Sequence, residues 1–352
     1  MKFADASLIS EFKAQIDGAL GSFVSNQIAQ LESIGSELTP VGNALSHFIL
    51  DSGKRLRPIF ATAGYMGAGK EPTSEIYRAA AALELIHVCA LIHDDLMDGS
   101  DTRRGAPAIH KEFENIHRKE HLAGNPVQFG ESSAILIGDL ALVWAGKALA
   151  SSGISGDQFA RAFSVFSELQ IELMAGQFLD VNEQTSHTSS IERSRKIARY
   201  KSGKYTIERP LHFGAALAGS NSLISSYTDY GIPLGEAFQL RDDILGVFGE
   251  PEVTGKPAGD DLLEGKRTVL IAKSFELAGA SGSLLLTQVL GNRSASQEMV
   301  EKAKGIIIES GALKFVENLI EELVNNSLKS VRGLPNEELL TRLAQITTKR
   351  SS

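Results

Sequence analysis

The chain has 352 residues, of which 43% are hydrophobic and 22% charged, and its formal net charge is −8. These values are typical of a globular protein long enough for a large core, and the acidic balance argues against a general nucleic-acid surface, which needs clustered cations. The single cysteine, Cys89, excludes an intramolecular disulfide, and no stretch approaches roughly 18 uninterrupted apolar residues. We therefore predict a cytoplasmic protein without a transmembrane segment.

The apolar residues recur with helical periodicity almost throughout, and no linker or repeat interrupts them, so we predict one all-α domain over 1–352. The predicted helices cover 77–97, which is apolar nearly all round and therefore central and buried, then 130–150, 191–218, 227–248 and most of 266–348. The predicted breaks lie at 98–107, 180–190, 249–265, 279–283 and 291–294. Gly203 and Pro210 predict local weakening or a kink within 191–218.

Two acidic groups each end an apolar stretch. The first contains Asp94, Asp95 and Asp98, and the second contains Asp242 and Asp243. On a helix, Asp94 and Asp98 stand one turn apart on the same face, while Asp95 points about 100° away. Mg²⁺ usually binds one or two carboxylates together with substrate phosphates, so these groups indicate a phosphorylated substrate. The alternative is a solvated helix end, but acids at a helix C-terminus oppose its dipole, which favours a functional role.

Basic residues form two further groups. Lys54, Arg55 and Arg57 fall within four residues, and Arg103 and Arg104 closely follow the first acidic group. Arginine offers a planar bidentate fork and lysine a point charge, which together suit an oxygen-rich anion. For the second basic group, a surface loop of ion pairs is the alternative interpretation.

In this order, the elements closely resemble the motifs of the trans-isoprenyl diphosphate synthases, also called the polyprenyl synthetase family, over residues 40–275 or so. The segments that carry the resemblance are Gly-Lys-Arg-Leu-Arg-Pro at 53–58, Asp-Asp-Leu-Met-Asp at 94–98, Arg-Arg-Gly at 103–105, Lys-Ser at 201–202, Gln-Leu-Arg-Asp-Asp at 239–243, Gly-Lys at 255–256 and Gly-Lys-Arg-Thr at 265–268. Within the family, the chain resembles bacterial geranylgeranyl diphosphate synthases.

The resemblance implies a single isoprenoid-synthase-type helical bundle with a central apolar cavity, usually homodimeric, that condenses isopentenyl diphosphate with an allylic diphosphate. Asp94 and Asp98 are implied to bind two Mg²⁺ ions from one side of the allylic diphosphate, and Asp242 a third from the other. The implied catalytic residues are Asp94, Asp95, Asp98, Arg103, Lys201, Asp242 and Lys256. The allylic substrate, its diphosphate or its metals would contact Arg103, Lys201, Ser202, Gln239, Lys256 and Lys266. Isopentenyl diphosphate would contact Lys54, Arg57, His87 and Arg104.

Two positions depart from the family pattern. Gly246 stands where many members have a third aspartate, which puts the strength of the second metal site in doubt, and Asp260 or Asp261 is a candidate to assist. Ser202 replaces a threonine but keeps the hydroxyl group.

Product length depends, by the same resemblance, on where the cavity is blocked along Ala90, Cys89 and Ile86. Cys89 and Ala90 are small, and the first aspartate motif lacks the two-residue insertion of many bacterial farnesyl synthases. We therefore predict a C20 product, geranylgeranyl diphosphate, with C15 or C25 and above as alternatives. Cys89 itself is interpreted as a packing residue, not a nucleophile.

Two rival functions share parts of this pattern. A class I terpene cyclase has a similar metal site but ionises a single substrate, so Lys54, Arg57 and Arg104 would have no second diphosphate to hold. A non-catalytic partner subunit of a synthase would be expected to have damaged aspartates, whereas both acidic groups are intact here.

Overall fold

Long runs of strong helix formers produce an almost entirely helical architecture. The computed structural model describes residues 6–51, 53–186, 188–250 and 259–348, and the only strands within these ranges are the two-residue pair β1 (Thr102–Arg103) and β2 (Ala106–Pro107). The prediction of an all-α fold is confirmed. The chain divides into two compact units, Met1–Ser167 with Pro210–Ile224 and Glu168–Arg209 with Ser225–Ser352. That these form a single domain stays a prediction.

The first unit is built around one buried helix. Its helices are α1 (Ala6–Ile34), α2 (Thr39–Leu50), α3 (Leu56–Met66), α4 (Ser74–Asp98), α5 (Ile109–Lys119), α6 (Pro126–Ala150), the first part of α7 (Gly156–Gln184) and most of α9 (Arg209–Ala218), with a 3₁₀ turn at Ser36–Leu38. Every residue of α4 from Ala79 to Ile86 is buried, and α1, α3 and α6 pack against this helix. The predicted central helix is therefore confirmed, and it begins three residues earlier than predicted.

Two helices of this unit, α4 and α6, are long and apolar enough to cross a membrane by length and composition alone. Within the most apolar 18-residue window of each helix, 72% of the window is buried inside the protein for α4 and 44% for α6. Core helices of ordinary globular proteins have the same composition, so these two helices do not establish a membrane span.

The second unit contains the remaining elements. These are the rest of α7, α8 (Ile191–Ile197), a π-helical segment (Ala198–Glu208), α10 (Ile224–Phe248), α11 (Asp260–Glu264), α12 (Val269–Leu277), α13 (Gly279–Val289), α14 (Gln297–Glu309), α15 (Ala312–Ser330) and α16 (Glu337–Thr348). Its core is formed by apolar side chains from α10 to α15, such as Leu240, Leu270 and Ile307. The Tyr230 hydroxyl on α10 donates a hydrogen bond to the Leu340 carbonyl at 2.8 Å, which fastens α16 to this core.

The predicted weakening near Gly203 takes the form of the π-helical segment. A Cβ atom at Gly203 would lie 3.0 Å from the backbone of Gly235 on α10, and a Cβ at Gly235 would overlap Gly203. The two glycines therefore let these backbones approach more closely than side chains would permit.

Three predicted breaks need correction. The break at 180–190 is shorter, because α7 continues to Gln184. The break at 279–283 is wrong: α13 begins at Gly279, whose φ of +64° turns the chain, and Gly282 packs closely on Ile306 of α14. The loop at 249–265 contains the short helix α11, and its residues 251–258 lie outside the described residues.

Candidate active site

The first acidic group lies at the C-terminal end of α4. Asp94 is partly buried and Asp98 is buried, and the last turn of the helix contains no basic residue. Gly99, with φ of +61°, ends the helix. Because the carboxylates oppose the helix dipole at this end, a bound cation would stabilise them here.

Asp95 is oriented differently from Asp94 and Asp98, as its position on the helix predicts. It is only 1% exposed, and its two carboxylate oxygens accept hydrogen bonds from Nε of Arg103 at 2.9 and 3.0 Å, while Nη2 of Arg103 donates to the same carboxylate. Arg103 lies on β1, so this ion pair fixes the hairpin to the end of α4. Through this contact Asp95 can position Arg103. The catalytic role predicted for Asp95 stays a prediction.

The three cations of segment 53–58 have unequal surroundings. Lys54 is exposed, whereas Arg55 and Arg57 are buried at 2% and 6% exposure. Arg55 donates to Asp17 Oδ1 at 2.7 Å and to Glu84 Oε1 at 3.0 Å, so its guanidinium is engaged by the protein itself. The sequence pattern alone grouped Arg55 with its neighbours and missed both acids. The one available signal was Glu84, a carboxylate inside the apolar run Ala79–Ile86 of α4.

Positive charge converges around His87 on α4. Burial lowers the pKa of His87 well below its usual range, and four arginine charges lower it further: Arg57, Arg104, Arg103 and Arg55. The Arg104 guanidinium lies 5.7 Å from the centroid of the Phe48 ring, and its Nη1 donates to the Phe48 carbonyl at 3.3 Å. A neutral imidazole surrounded by cations is suited to bind an anion such as a diphosphate.

In the second unit, the π-helical segment carries Lys201 and Ser202. Lys201 Nζ lies 2.6 Å from Asp180 Oδ2 on α7, and Ser202 is buried. A Cβ atom at Gly176 on α7 would overlap the Lys201 backbone, so this glycine permits the close approach. The π-helical register redirects the side chains of Lys201 and Ser202 relative to those of a regular α-helix.

The second acidic group lies near the end of α10. Gln239 donates from Nε2 to Asp243 Oδ1 at 2.7 Å. Burial raises the pKa of Asp243 to about 8; the charges of Asp261 and Asp242 add to the rise, while Gln239 and Lys266 oppose it. Three carboxylates therefore crowd this region, and a divalent cation would relieve their mutual repulsion.

Gly246 lies one turn beyond Asp242 on α10, and the space beside it is already occupied. A Cβ atom at Gly246 would overlap the carboxylate of Asp261, which comes from α11. Lys266 Nζ lies 3.4 Å from Asp261 Oδ1 and 2.8 Å from Glu264 Oε2. The space that a side chain at Gly246 would fill is therefore occupied by a carboxylate from α11. The sequence named Asp260 or Asp261 as a candidate to assist the second metal site; Asp261 lies beside Gly246, and its role at a metal stays a prediction.

Comparisons with known proteins agree with this arrangement of acidic and basic groups. The polyprenyl synthetase family profile matches residues 39–307. The chain belongs to the polyprenyl synthetase family. It is 34% identical to the geranylfarnesyl diphosphate synthase of Aeropyrum pernix, with 89% of this chain and 96% of that protein covered. It is also 31% identical to the geranylgeranyl diphosphate synthase of Saccharolobus solfataricus, with 99% of each covered.

A solved structure of geranylgeranyl pyrophosphate synthase from Corynebacterium glutamicum, complexed with isoprenyl diphosphate and magnesium, is similar at a TM-score of 0.93 and 39% identity. The similarity covers 97% of this chain and 99% of that one. Together these relatives confirm the predicted family, the isoprenoid-synthase-type fold and the prediction that this polyprenyl synthetase is a trans-prenyltransferase. The roles of individual site residues stay predictions, and Lys256 lies outside the described residues.

The acidic residues fit Mg²⁺ by their chemistry. Both groups offer carboxylate oxygens, the ligands that Mg²⁺ prefers, and Asp95 is diverted to Arg103. Within the described residues, no three His, Cys, Asp or Glu side chains converge closely enough to hold an ion by themselves. Such a site suits a metal that completes its coordination with water and substrate phosphate oxygens.

The residues predicted to control chain length lie one to two turns upstream of Asp94. Ile86 and Cys89 are fully buried, and Ala90 is partly buried. Cys89 Sγ lies 3.8 Å from His93 Nδ1, and burial raises the pKa of the Cys89 thiol to about 12. A thiol in this state packs and does not act as a nucleophile, as predicted.

A cavity of about 330 Å³ lies between α1, α4 and α6. On α4 it is lined by Ala81 and Leu85, which stand roughly 140–180° around the helix from Asp94. It is therefore distinct from the face of α4 that carries Ala90 and Ile86. A central cavity along that face stays a prediction.

Proposed function

We propose that this polyprenyl synthetase condenses isopentenyl diphosphate head-to-tail with an allylic diphosphate to make all-trans geranylgeranyl diphosphate. The observation that carries the proposal is that the first unit holds two separate groups of side chains suited to bind a diphosphate. One is the carboxylate pair Asp94 and Asp98, and the other is the cationic surrounding of His87. A terpene cyclase, which ionises one diphosphate substrate, has no use for the second feature.

Three Mg²⁺ ions are proposed for each active site, two held by Asp94 and Asp98 and one by Asp242. Asp243 and Asp261 would support the third ion, because their charges act on the same region. When bound, the ions neutralise the negative charge that grows on the departing diphosphate. The corynebacterial relative, whose structure is complexed with magnesium, supports magnesium as the ion.

The protein's own side chains then bind and orient the two substrates and exclude water. We assign the allylic diphosphate to Arg103, Lys201, Ser202, Gln239, Lys256 and Lys266. Its C–O bond breaks with the electron pair leaving on the diphosphate, which the arginine and lysine side chains among these residues stabilise. Isopentenyl diphosphate is held by Lys54, Arg57, His87 and Arg104, so that its double bond attacks the allylic carbocation. The departing diphosphate takes the proton, and the apolar helices exclude water that would quench the cation.

A C20 product is favoured by several relatives and by the small residues near the metal site. Relatives from Saccharolobus solfataricus, Sulfolobus acidocaldarius and Methanosarcina mazei are named geranylgeranyl diphosphate synthases. A C25 product is the second candidate, because relatives from Aeropyrum pernix and Natronomonas pharaonis are named geranylfarnesyl diphosphate synthases. The side chains of Ala90 and Cys89 are small, which is compatible with either product.

A homodimer is proposed because two helices present apolar side chains to solvent. On α6, Phe129, Leu136 and Val143 recur every seven residues at 38%, 67% and 65% exposure. On α7, four exposed apolar residues follow a three-four spacing: Ile171, Met174, Phe178 and Val181. Such stripes are typical of helices that pack against another subunit. We also propose that the chain forms a single domain and acts in the cytoplasm.

The test is product analysis with purified protein, Mg²⁺, isopentenyl diphosphate and C5, C10 or C15 allylic primers. We expect pyrophosphate release with each accepted primer and C20 as the longest major product. Pyrophosphate release without isopentenyl diphosphate would instead indicate a cyclase. A C15 or C25 end product would revise the chain length and leave the prenyltransferase assignment intact.

A further inference from the structure

Arg55 lies between the two cations assigned to isopentenyl diphosphate, Lys54 and Arg57, but it faces the protein interior. It precedes the first residue of α3, and its φ of +53° is in the left-handed region that residues other than glycine seldom adopt. Only 2% of its surface is exposed. A buried arginine in an unfavourable backbone conformation requires strong compensating contacts.

These contacts come from three different helices. Arg55 Nε donates to Asp17 Oδ1 on α1 at 2.7 Å, Nη1 donates to Glu84 Oε1 on α4 at 3.0 Å, and Nη2 donates to the Ile49 carbonyl on α2 at 2.6 Å. The planar guanidinium thus fixes the start of α3 against α1, α2 and α4 together. Lysine could not make this set of contacts, because it lacks the fork.

Gly53 is adapted to the same arrangement. Its φ is +129°, and a Cβ atom there would lie 2.7 Å from Arg55 Nη1 and 3.4 Å from Glu84 Oε1. The chain on either side of Lys54 is therefore shaped by the Arg55–Glu84 pair. The side chain of Glu84 is 3% exposed, and its Oε2 atom is buried without a hydrogen bond among the described residues.

The charge of Glu84 is unexpected at this place. It is a carboxylate that acts electrostatically on Arg104, which we assign to a diphosphate. Electrostatics alone would make a negative charge here unfavourable for binding an anion. Its contribution to substrate binding must therefore come from geometry.

We infer that Glu84 and Arg55 are positioning residues, which hold the segment carrying Lys54 and Arg57 in the conformation that binds the diphosphate of isopentenyl diphosphate. This inference rests on the proposed function. It assigns no contact between substrate and either residue. It explains why segment 53–58 contains a third cation whose side chain is turned inward.

The test replaces Glu84 with glutamine, which has the same shape and no charge. If Glu84 positions the segment, Glu84→Gln raises KM for isopentenyl diphosphate about tenfold, as is typical for residues that support a binding group, and leaves KM for the allylic substrate within about twofold. If Glu84 acts only through its charge, the same variant lowers KM for isopentenyl diphosphate, because one negative charge has been removed. A fall, no change, or an equal rise in both KM values would overturn the inference.

Arg55→Lys is the second variant, since it keeps the positive charge and removes the fork. It should raise KM for isopentenyl diphosphate in the same selective way. Glu75→Gln is the matched control on the same helix, because it breaks the exposed pair with Arg78 at 2.9 Å and should leave both KM values unchanged. Circular dichroism establishes folding. If neither Glu84→Gln nor Arg55→Lys folds, the pair is structural and the inference fails; if the wild-type chain does not condense the substrates, the proposed function fails instead.

Discussion

The two acidic groups of this polyprenyl synthetase look alike in sequence but are assembled differently. At the end of α4, Asp95 is paired with Arg103, while Asp94 and Asp98 stand one turn apart on the same helix. Near the end of α10, Gly246 provides no side chain, and Asp261 from α11 occupies the adjoining space. The first group thus lies within one helix and its hairpin, whereas in the second a carboxylate from a different helix lies beside the acids of α10. Two similar patterns of acids in the sequence therefore lead to different arrangements of carboxylates in space.

The largest effect is expected from Asp94→Ala. It removes a proposed metal ligand from the group that has no substitute carboxylate in its motif, so kcat/KM should fall about 10³-fold or more. Pyrophosphate release measures this loss. Asp101→Ala is the control, because Asp101 is an exposed acid in the nearby hairpin, with 74% of its side chain accessible. Activity above about one tenth of wild type in Asp94→Ala would contradict the assignment.

The next largest effect concerns the second group. Asp261→Asn should lower kcat/KM about 10- to 100-fold and raise the Mg²⁺ concentration needed for half-maximal rate, as is typical when a residue that supports a metal is altered. Gly246→Asp should also impair activity, because the new side chain would overlap Asp261. The decisive measurement is the double variant Gly246→Asp with Asp261→Gly. It should recover activity relative to Gly246→Asp alone and Asp261→Gly alone, and a double variant as poor as the worse of these two would disprove the exchange.

A smaller effect is expected from Asp95→Asn. Arg103 would lose its charged partner, so kcat/KM should fall about tenfold while the Mg²⁺ requirement stays the same. Urea unfolding should show a loss of no more than about 3 kcal/mol, because Arg103 retains some solvent contact and 20% of its side chain is exposed. This variant separates positioning from metal binding. A raised Mg²⁺ requirement would place Asp95 among the metal ligands.

The smallest effect on rate is expected from Cys89→Phe. The larger ring should shorten the main product while kcat changes little, and overpacking should cost about 1–3 kcal/mol of stability. Cys89→Ser is the matched control, because it changes the sulfur but not the size. Products are compared by chromatography after identical incubations. The same length distribution in Cys89→Phe and wild type would show that this position does not limit the chain.

The helices were largely predictable because their signal is local. The apolar residues of α4 and α10 recur with helical spacing, and the position of Asp95 relative to Asp94 follows from the turn of the helix. The break predicted at 279–283 was wrong because its small residues, which resemble a loop in sequence, are used for close helix packing. The contact between Asp261 and Gly246 could not be predicted from the sequence, because it joins two different helices.

The sequence by itself determined the helical class, the spacing of the acids and, through its motifs, the polyprenyl synthetase family and its prenyltransferase chemistry. These properties depend on residue types at short separations along the chain. Only the tertiary structure decided which charges pair: Arg55 contacts residues 38 and 29 positions away, and Asp261 reaches Gly246 from another helix. The physical reason is that a buried charge is stable only beside a partner of opposite charge. Packing between helices determines which residues meet, and the periodicity of the sequence does not predict that packing.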